Sequence, residues 1–228
     1  MLGGTRLQCM QLDVMGNPDY GELSIELEPG EKLHVESGAM SRMSPSLELR
    51  THLMGGILAG LARKIFGGES FFVGEYGGPQ GGHLSLSPAL PGTVLHEHLD
   101  NSELILTAGS FLACTSGIEL KTRFGGLRSL FSGEGAFVLR ATGTGELFFN
   151  AYGAVIEKQL NGSLRVDTGH VVAWEPTLDY TIAGMGGLKS TLFSGEGLTM
   201  DFQGTGRLWV QTRNLPATAG WLTPFLRG

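Results

Sequence analysis

The chain has 228 residues, a formal net charge of −6 and only 17% charged residues, with no run of Lys or Arg that could neutralise phosphates. This composition argues against a nucleic-acid-binding protein, and a content of 41% apolar residues argues against a disordered linker. Two cysteines, Cys9 and Cys114, cannot build a disulfide framework. With no secretory signal pattern and no apolar stretch near the ~20 residues of a membrane span, they indicate a cytoplasmic protein with reduced thiols.

Apolar and polar residues alternate over many short stretches, and the first stretch is Leu23–Glu28. Leu33 and Val35 continue the pattern after a turn at Pro29-Gly30. Later stretches have apolar residues at Leu104 and Leu106, at Leu147, Phe149 and Ala151, and at Leu208 and Val210. A period of two bounded by glycine is typical of half-buried antiparallel strands. The 37 glycines are therefore expected to form tight turns between strands in an all-β fold.

Residues 53–66 depart from the alternation, because their apolar residues recur at helical spacing. At most one short helix is expected, in this insertion. Its only formal charges are Arg63 and Lys64, so it could contact either another subunit or an anionic membrane surface. The apolar tail Trp221–Leu226 is interpreted as a second contact surface, docked on the body or on another subunit.

The sequence repeats itself. The pentapeptide FSGEG occurs at 131–135 and 193–197, and each copy lies between an upstream Gly-Gly-Leu and a downstream Gly-Thr-Gly. A looser copy surrounds Gly68-Glu69. We therefore predict three β units, at 1–92, 93–160 and 161–228, that share a core because each is too small to fold alone. Phe66, Phe131 and Phe193 are predicted to be equivalent buried anchors of these units.

Two groups of residues are candidates for a metal site. The equivalent glutamates Glu69, Glu134 and Glu196 could converge on a cation, but a turn-stabilising role, or a pair with Arg63, Arg128 or Lys189, is the favoured interpretation. His96 and His98 share one face of a strand and could bind zinc with Asp100, although two solvated histidines are the more ordinary arrangement.

No catalytic set is evident in the sequence. Ser132 and Ser194 do not fit a nucleophile elbow, Cys114 is expected to be a packing residue, and His170 has no evident acid or nucleophile beside it. We therefore expect no catalytic, cofactor or metal residues and no cofactor.

Five stretches carry a family resemblance: ESGAM at 36–40, FGGESFF at 66–72, the two FSGEG segments, and VDTGHVVAWE at 166–175. They resemble a bacterial family of unknown function related to the altered-inheritance-of-mitochondria (mitochondrial biogenesis) proteins. The resemblance implies a fold like the tryptophan RNA-binding attenuation protein, with three small β-sandwich or double-stranded β-helix units per chain. It also implies a homotrimer, and mitochondrial relatives that act at the inner membrane.

The leading functional hypothesis is a non-enzymatic, self-assembling β protein. It is expected in the cytoplasm, at the inner face of a membrane, as a scaffold that contacts lipid or membrane proteins. Closure into a ring would remove the strand edges left at the two ends of a three-unit chain. The alternative is a regulatory protein that binds a small ligand between adjacent repeats.

Overall fold

A computed structural model describes residues 11–52, 73–124, 137–184 and 198–226, and these residues form an all-β protein. The strands are β1 (Gln11–Met15), β2 (Glu22–Leu27), β3 (Lys32–Glu36), β4 (Met40–Met43), β5 (Glu48–His52), β6 (Val73–Gly77), β7 (Gly82–Leu86), β8 (Gly92–Thr107), β9 (Phe111–Thr115), β10 (Ile118–Phe124), β11 (Phe137–Tyr152), β12 (Val155–Asp167), β13 (Val171–Trp174), β14 (Leu178–Gly184) and β15 (Leu198–Gln211). One α-helix, α1 (Leu215–Leu226), follows the last strand.

The strands form two antiparallel sheets. The smaller has the order β1-β2-β7-β4. The larger has eleven strands in the order β12-β15-β13-β8-β11-β9-β3-β6-β5, with β10 on β11 and β14 on β15. The predicted alternation is confirmed, since Leu23, Ile25 and Leu27 of β2 are buried and the residues between them are more exposed.

Strand pairing follows similar schemes in three stretches, which we call the first (22–86), second (92–152) and third (155–211) segments. In the second, β8 pairs with β11, while β9 and β10 pair with opposite halves of β11. In the third, β12 pairs with β15, while β13 and β14 divide β15 in the same way. In the first, β2 and β3 pair with β7 and β6, β4 pairs with β7, and β5 pairs with β6.

Two further pairings join the segments to each other. Strand β9 of the second segment pairs with β3 of the first, and β13 of the third pairs with β8 of the second. Because of these junctions, the apolar core is shared. Ala113 and Phe148 of the second segment are buried in the cluster of the first, and Ala173 and Trp209 of the third are buried in the cluster of the second.

The Gly-Thr-Gly stretches lie inside strands, whereas the sequence placed them in turns. Gly143 and Gly145 lie in β11, where the β8 register shifts by a bulge, and Gly204 lies in β15. Both Gly143 and Gly204 have positive φ, at 137° and 133°. A Cβ atom on Gly143 would lie 2.2 Å from the carbonyl oxygen of Gly117. Glycine is therefore needed here because the turn between β9 and β10 comes very close to the strand.

The helix found in the described residues is at the C-terminus, where the sequence predicted an apolar tail, and the helix expected near 53–66 lies outside the described residues. Asn214 caps it, since its Oδ1 accepts a hydrogen bond from the backbone N–H of Ala217 at 3.1 Å. Pro216 lies in the first turn, where the backbone N–H has no helical partner to lose. This Asn-x-Pro pattern was a helix start signal in the sequence that the expectation of a simple apolar tail missed.

Some predictions lie outside the described residues. These are the insertion 53–66, the glutamates Glu69, Glu134 and Glu196, the anchors Phe66, Phe131 and Phe193, the serines Ser132 and Ser194, and Cys9. The three unit boundaries stay predictions, although β12 runs across the one placed between residues 160 and 161.

We expect Gly143→Ala to lower the free energy of unfolding by about 1–3 kcal/mol, because alanine there needs a rarely populated backbone conformation. The overlap with the Gly117 carbonyl adds to this cost. Gly109→Ala is the matched control, since no atom lies within 4 Å of the position that a Cβ would take there, and it should change stability by less than about 0.5 kcal/mol. Urea unfolding measures both, and equal midpoints for the two variants would contradict the prediction.

Candidate self-association interface

Six of the described strands pair with a single neighbour and so have an open edge, namely β1, β4, β5, β10, β12 and β14. Among the described residues, β4 pairs with β7 alone and β12 pairs with β15 alone. An unpaired edge offers a row of backbone N–H and C=O groups that can accept another strand. The β4 edge lies in the first segment and the β12 edge in the third segment, so they stand at opposite ends of the chain order.

The side chains of β4 are held by a polar cluster. The Arg42 guanidinium makes two hydrogen bonds to the Glu22 carboxylate, at 2.8 and 2.6 Å. Ser87 also donates to Glu22, at 3.0 Å. The hydrogen bonds from Arg42, helped by Ser87, outweigh burial and hold the pKa of Glu22 below its usual value. The β4 edge therefore has a fixed arrangement of charge, and it does not present an isolated cation.

Helix α1 presents large apolar side chains to solvent. Trp221, Phe225 and Leu226 are 68%, 73% and 77% exposed, and the Trp221 and Phe225 rings contact each other with centroids 5.5 Å apart. The helix contains no charged residue, and Arg213 lies exposed just before it. Large exposed apolar side chains grouped on one element indicate a contact surface.

His96 and His98 share one strand face, as predicted, and both contact a residue that the sequence did not single out. His96 Nε2 lies 2.5 Å from Glu146 Oε2, and His98 Nδ1 lies 2.7 Å from Glu146 Oε1. The His96 ring also stacks on Phe148, with centroids 4.8 Å apart. Among the described residues, Asp100 makes no hydrogen bond to His96, His98 or Glu146. In the described ranges, no group of three or more His, Cys, Asp or Glu side chains is arranged to hold a metal ion.

The pairing of long strands explains why Glu146 was missed. Glu146 lies directly opposite His98 in the β8–β11 ladder but is distant in sequence. Burial raises the pKa of Glu146, and the hydrogen bonds from His96 and His98 outweigh this and lower it below the usual value. The cluster therefore links β8 and β11 through a carboxylate that stays ionised.

Glu97 points to the opposite face and takes part in a contact between segments. Arg207 of β15 lies 3.0 Å from Glu97 Oε1 and 2.7 Å from Glu175 Oε1. Its guanidinium also lies 4.7 Å from the centre of the Trp209 ring. Burial raises the pKa of Glu175, but the hydrogen bonds from Arg207 outweigh burial and hold the pKa below its usual value. The carboxylate is therefore charged. The arginine therefore fastens the third segment to the second.

Two other residues have structural surroundings. Cys114 is fully buried in β9, and burial raises its pKa to about 12, so the thiol is not an activated nucleophile. This confirms its predicted packing role. His170 Nδ1 lies 2.7 Å from the carbonyl oxygen of Gln211 and so joins the turn before β13 to the end of β15.

One surface depression of about 370 Å³ lies on β3, β5 and β6. Its charged side chains are already matched to each other. Lys32 Nζ lies 2.9 Å from Glu75 Oε1, and Arg50 lies 3.4 Å from Glu48 Oε2. The depression belongs to the first segment, so it is not a site between adjacent segments.

The chain is similar to known proteins over nearly its whole length. Residues 12–213 match the family described as mitochondrial biogenesis AIM24. An uncharacterised protein of Streptococcus pyogenes serotype M6 is 30% identical over 226 residues, which cover 95% of this chain and 91% of that protein. A crystal structure of a Streptococcus pyogenes protein superposes with a TM-score of 0.82 at 30% identity, and the match covers 95% of this chain and all of that one.

The chain therefore belongs to the mitochondrial biogenesis AIM24 family, as its sequence motifs indicated. The family and its uncharacterised relatives assign it no established function. Among the described residues, no helix is both long and apolar enough to cross a bilayer.

We expect Glu146→Gln to reduce stability near pH 6 and to have a smaller effect below pH 4.5. Because folding lowers the pKa of Glu146, the ionised carboxylate stabilises the fold at pH values above its unfolded-state pKa of about 4.5. This stability is lost as the pH falls through the folded-state pKa. Urea unfolding of both proteins between pH 6 and pH 3 measures the difference. Asp179→Asn, at an exposed position of β14, is the control, and a Glu146→Gln effect that is constant with pH would refute the prediction.

Proposed function

We propose that the three segments are equivalent units and that the chain assembles into a homotrimer that acts as a non-enzymatic scaffold. The single observation that carries this proposal is that β4 in the first segment and β12 in the third have open edges, while their counterparts elsewhere in the chain pair across segments. Within the chain, each neighbouring pair of segments is joined by strand pairing. A head-to-tail contact between copies would continue the same arrangement and can close into a ring.

The chemistry of the described side chains supports a structural role. The clusters around Glu146 and Arg207 tie neighbouring strands together, and the carboxylates in them are held in their charged form. A general acid or base is usually tuned in the other direction, toward a pKa near neutrality. These clusters are therefore better suited to fixing the sheet than to transferring protons.

We further propose that the scaffold works in the cytoplasm, at the inner face of a membrane, with helix α1 as the contact. The helix combines Trp221, Phe225 and Leu226 on an uncharged element beside Arg213. Aromatic residues are favoured at the boundary between lipid and water, and the adjacent arginine favours anionic headgroups. This supports peripheral binding to a lipid surface.

We expect sedimentation equilibrium at micromolar concentration to give three times the chain mass of 24.3 kDa. Closure of the ring pairs every otherwise open β4 and β12 edge, and the family resemblance implies that three copies close it. The measured mass should stay constant on tenfold dilution if the ring is closed, since no free end remains to add copies. A persistent monomer would contradict the proposal, and a mass that grows with concentration would indicate an open filament.

For the membrane contact, we expect Phe225→Asp to weaken binding to anionic phosphatidylserine-containing vesicles by roughly tenfold or more, since burying one phenylalanine contributes about 1.5–3 kcal/mol. Thr223→Asp adds the same charge at an exposed polar position of the same helix and is the matched control. Vesicle co-sedimentation measures binding, and sedimentation equilibrium checks assembly. Loss of the trimer without a change in vesicle binding would assign the helix to a subunit contact.

A further inference from the structure

We infer that β4 of one copy pairs antiparallel with β12 of the next copy in one definite register, in which Arg42 lies opposite Val166. This inference rests on the proposed self-assembly and specifies its contact. It is drawn from two junctions inside the chain, β9 with β3 and β13 with β8, which have the same construction. In each junction, a short strand of one segment pairs with the C-terminal half of the first strand of the preceding segment. In the first segment, β2 and β3 together take the place of that long strand, and β3 is its C-terminal half.

The short strands β4, β9 and β13 are equivalent because each carries a bulge at the same place. Each pairs with the last strand of its own segment, which is β7, β11 or β15, and one residue of the short strand has no partner in that ladder. These residues are Ser41, Leu112 and Val172. The residues just after them, Arg42, Ala113 and Ala173, lie opposite Ser85, Phe148 and Trp209. Arg42 of β4 therefore corresponds to the two alanines that form the junctions within the chain.

The receiving strands can be aligned in the same way. Ala113 lies opposite Val35 of β3, and Ala173 lies opposite Leu106 of β8. Leu106 in turn lies opposite Leu139, four residues before Gly143. In the third segment, the residue four before Gly204 is Met200, and it lies opposite Val166. Val166 of β12 is therefore the counterpart of Leu106 and Val35.

Residues on the open edges of β4 and β12 are more exposed than their counterparts in the junctions inside the chain. Val35 and Leu106 are completely buried, whereas their counterpart Val166 is only half-buried. In the short strands, Ala113 and Ala173 are completely buried, whereas the side chain of their counterpart Arg42 is 54% exposed. On each edge, therefore, the exposed residue is the one whose counterpart is buried by strand pairing inside the chain.

A second copy of the chain is the occupant that fits both edges. Strand β4 has the same bulge as the strands that enter the junctions, and β12 occupies the place of the strands that receive them. Within one chain the two edges are not paired with each other. A contact in which one copy supplies β4 and the next supplies β12 satisfies both edges and reproduces the internal junctions.

The charges at this contact are already matched. Arg42 is paired with Glu22, and Arg165 of β12 is paired with Asp201, with Nε–Oδ1 and Nη2–Oδ2 distances of 2.5 and 2.6 Å. In the inferred register, Arg165 lies opposite Met43. Bringing β4 to β12 therefore places each arginine beside its own acid and an apolar neighbour, and it introduces no unpaired charge between the strands.

Disulfide trapping tests the register. The variant Arg42→Cys/Val166→Cys, in a Cys9→Ser background, places two thiols on directly opposed residues, whose Cα atoms should be about 4.5–5.5 Å apart. Cys114 can stay because it is buried. The control Arg42→Cys/Arg165→Cys moves one thiol by a single residue and so to the other face of the strand. Under mild oxidation, the first variant should give about tenfold more covalent oligomer than the control on non-reducing gels.

A second pair guards against disturbance of the first site. Met43→Cys/Arg165→Cys tests the same register while leaving the Arg42–Glu22 pair intact, with Met43→Cys/Val166→Cys as its control. If the parent protein and the variants sediment as oligomers and neither in-register pair cross-links above its control, the register is wrong while the proposed assembly stands. If the parent protein sediments as a monomer, the proposed function fails, and this inference fails with it.

Discussion

Backbone hydrogen bonding between strands of different segments is the constraint on which the rest of this structure depends. The β9–β3 and β13–β8 pairings turn three stretches of chain into one extended sheet system. They also bring Ala113 and Phe148 into the core of the first segment and Ala173 and Trp209 into the core of the second. A segment separated from its neighbour would lose both the ladder and part of its core.

The polar clusters follow from the same geometry. A long strand presents alternate residues to opposite faces, so His96 and His98 reach Glu146 on one side of β8 while Glu97 reaches Arg207 on the other. The first contact ties β8 to β11 inside the second segment, and the other ties the second segment to the third. The function that we propose, a scaffold, needs this kind of rigidity between units, and its contact surfaces are then strand edges and helix α1.

Local patterns in the sequence were enough to predict much of the fold. The alternation at Leu23, Ile25 and Leu27 predicted a half-buried strand because side-chain direction in a strand depends only on the backbone. The membership of the AIM24 family was likewise readable from the glycine-rich motifs and their order. The histidine cluster could not be predicted from the sequence, since Glu146 joins it through a ladder between residues that are distant in the sequence.

The sequence by itself determined the all-β class, the faces of the alternating strands and the packing role of Cys114, because each depends on residue type and local spacing. Only the tertiary structure decided that the Gly-Thr-Gly stretches lie within β11 and β15. The need for Gly143 comes from the carbonyl of Gly117, in the turn between β9 and β10. The tertiary structure also decided which edges stay open. Whether a strand such as β4 or β12 has one neighbour or two is a property of the whole sheet, and no local pattern encodes it.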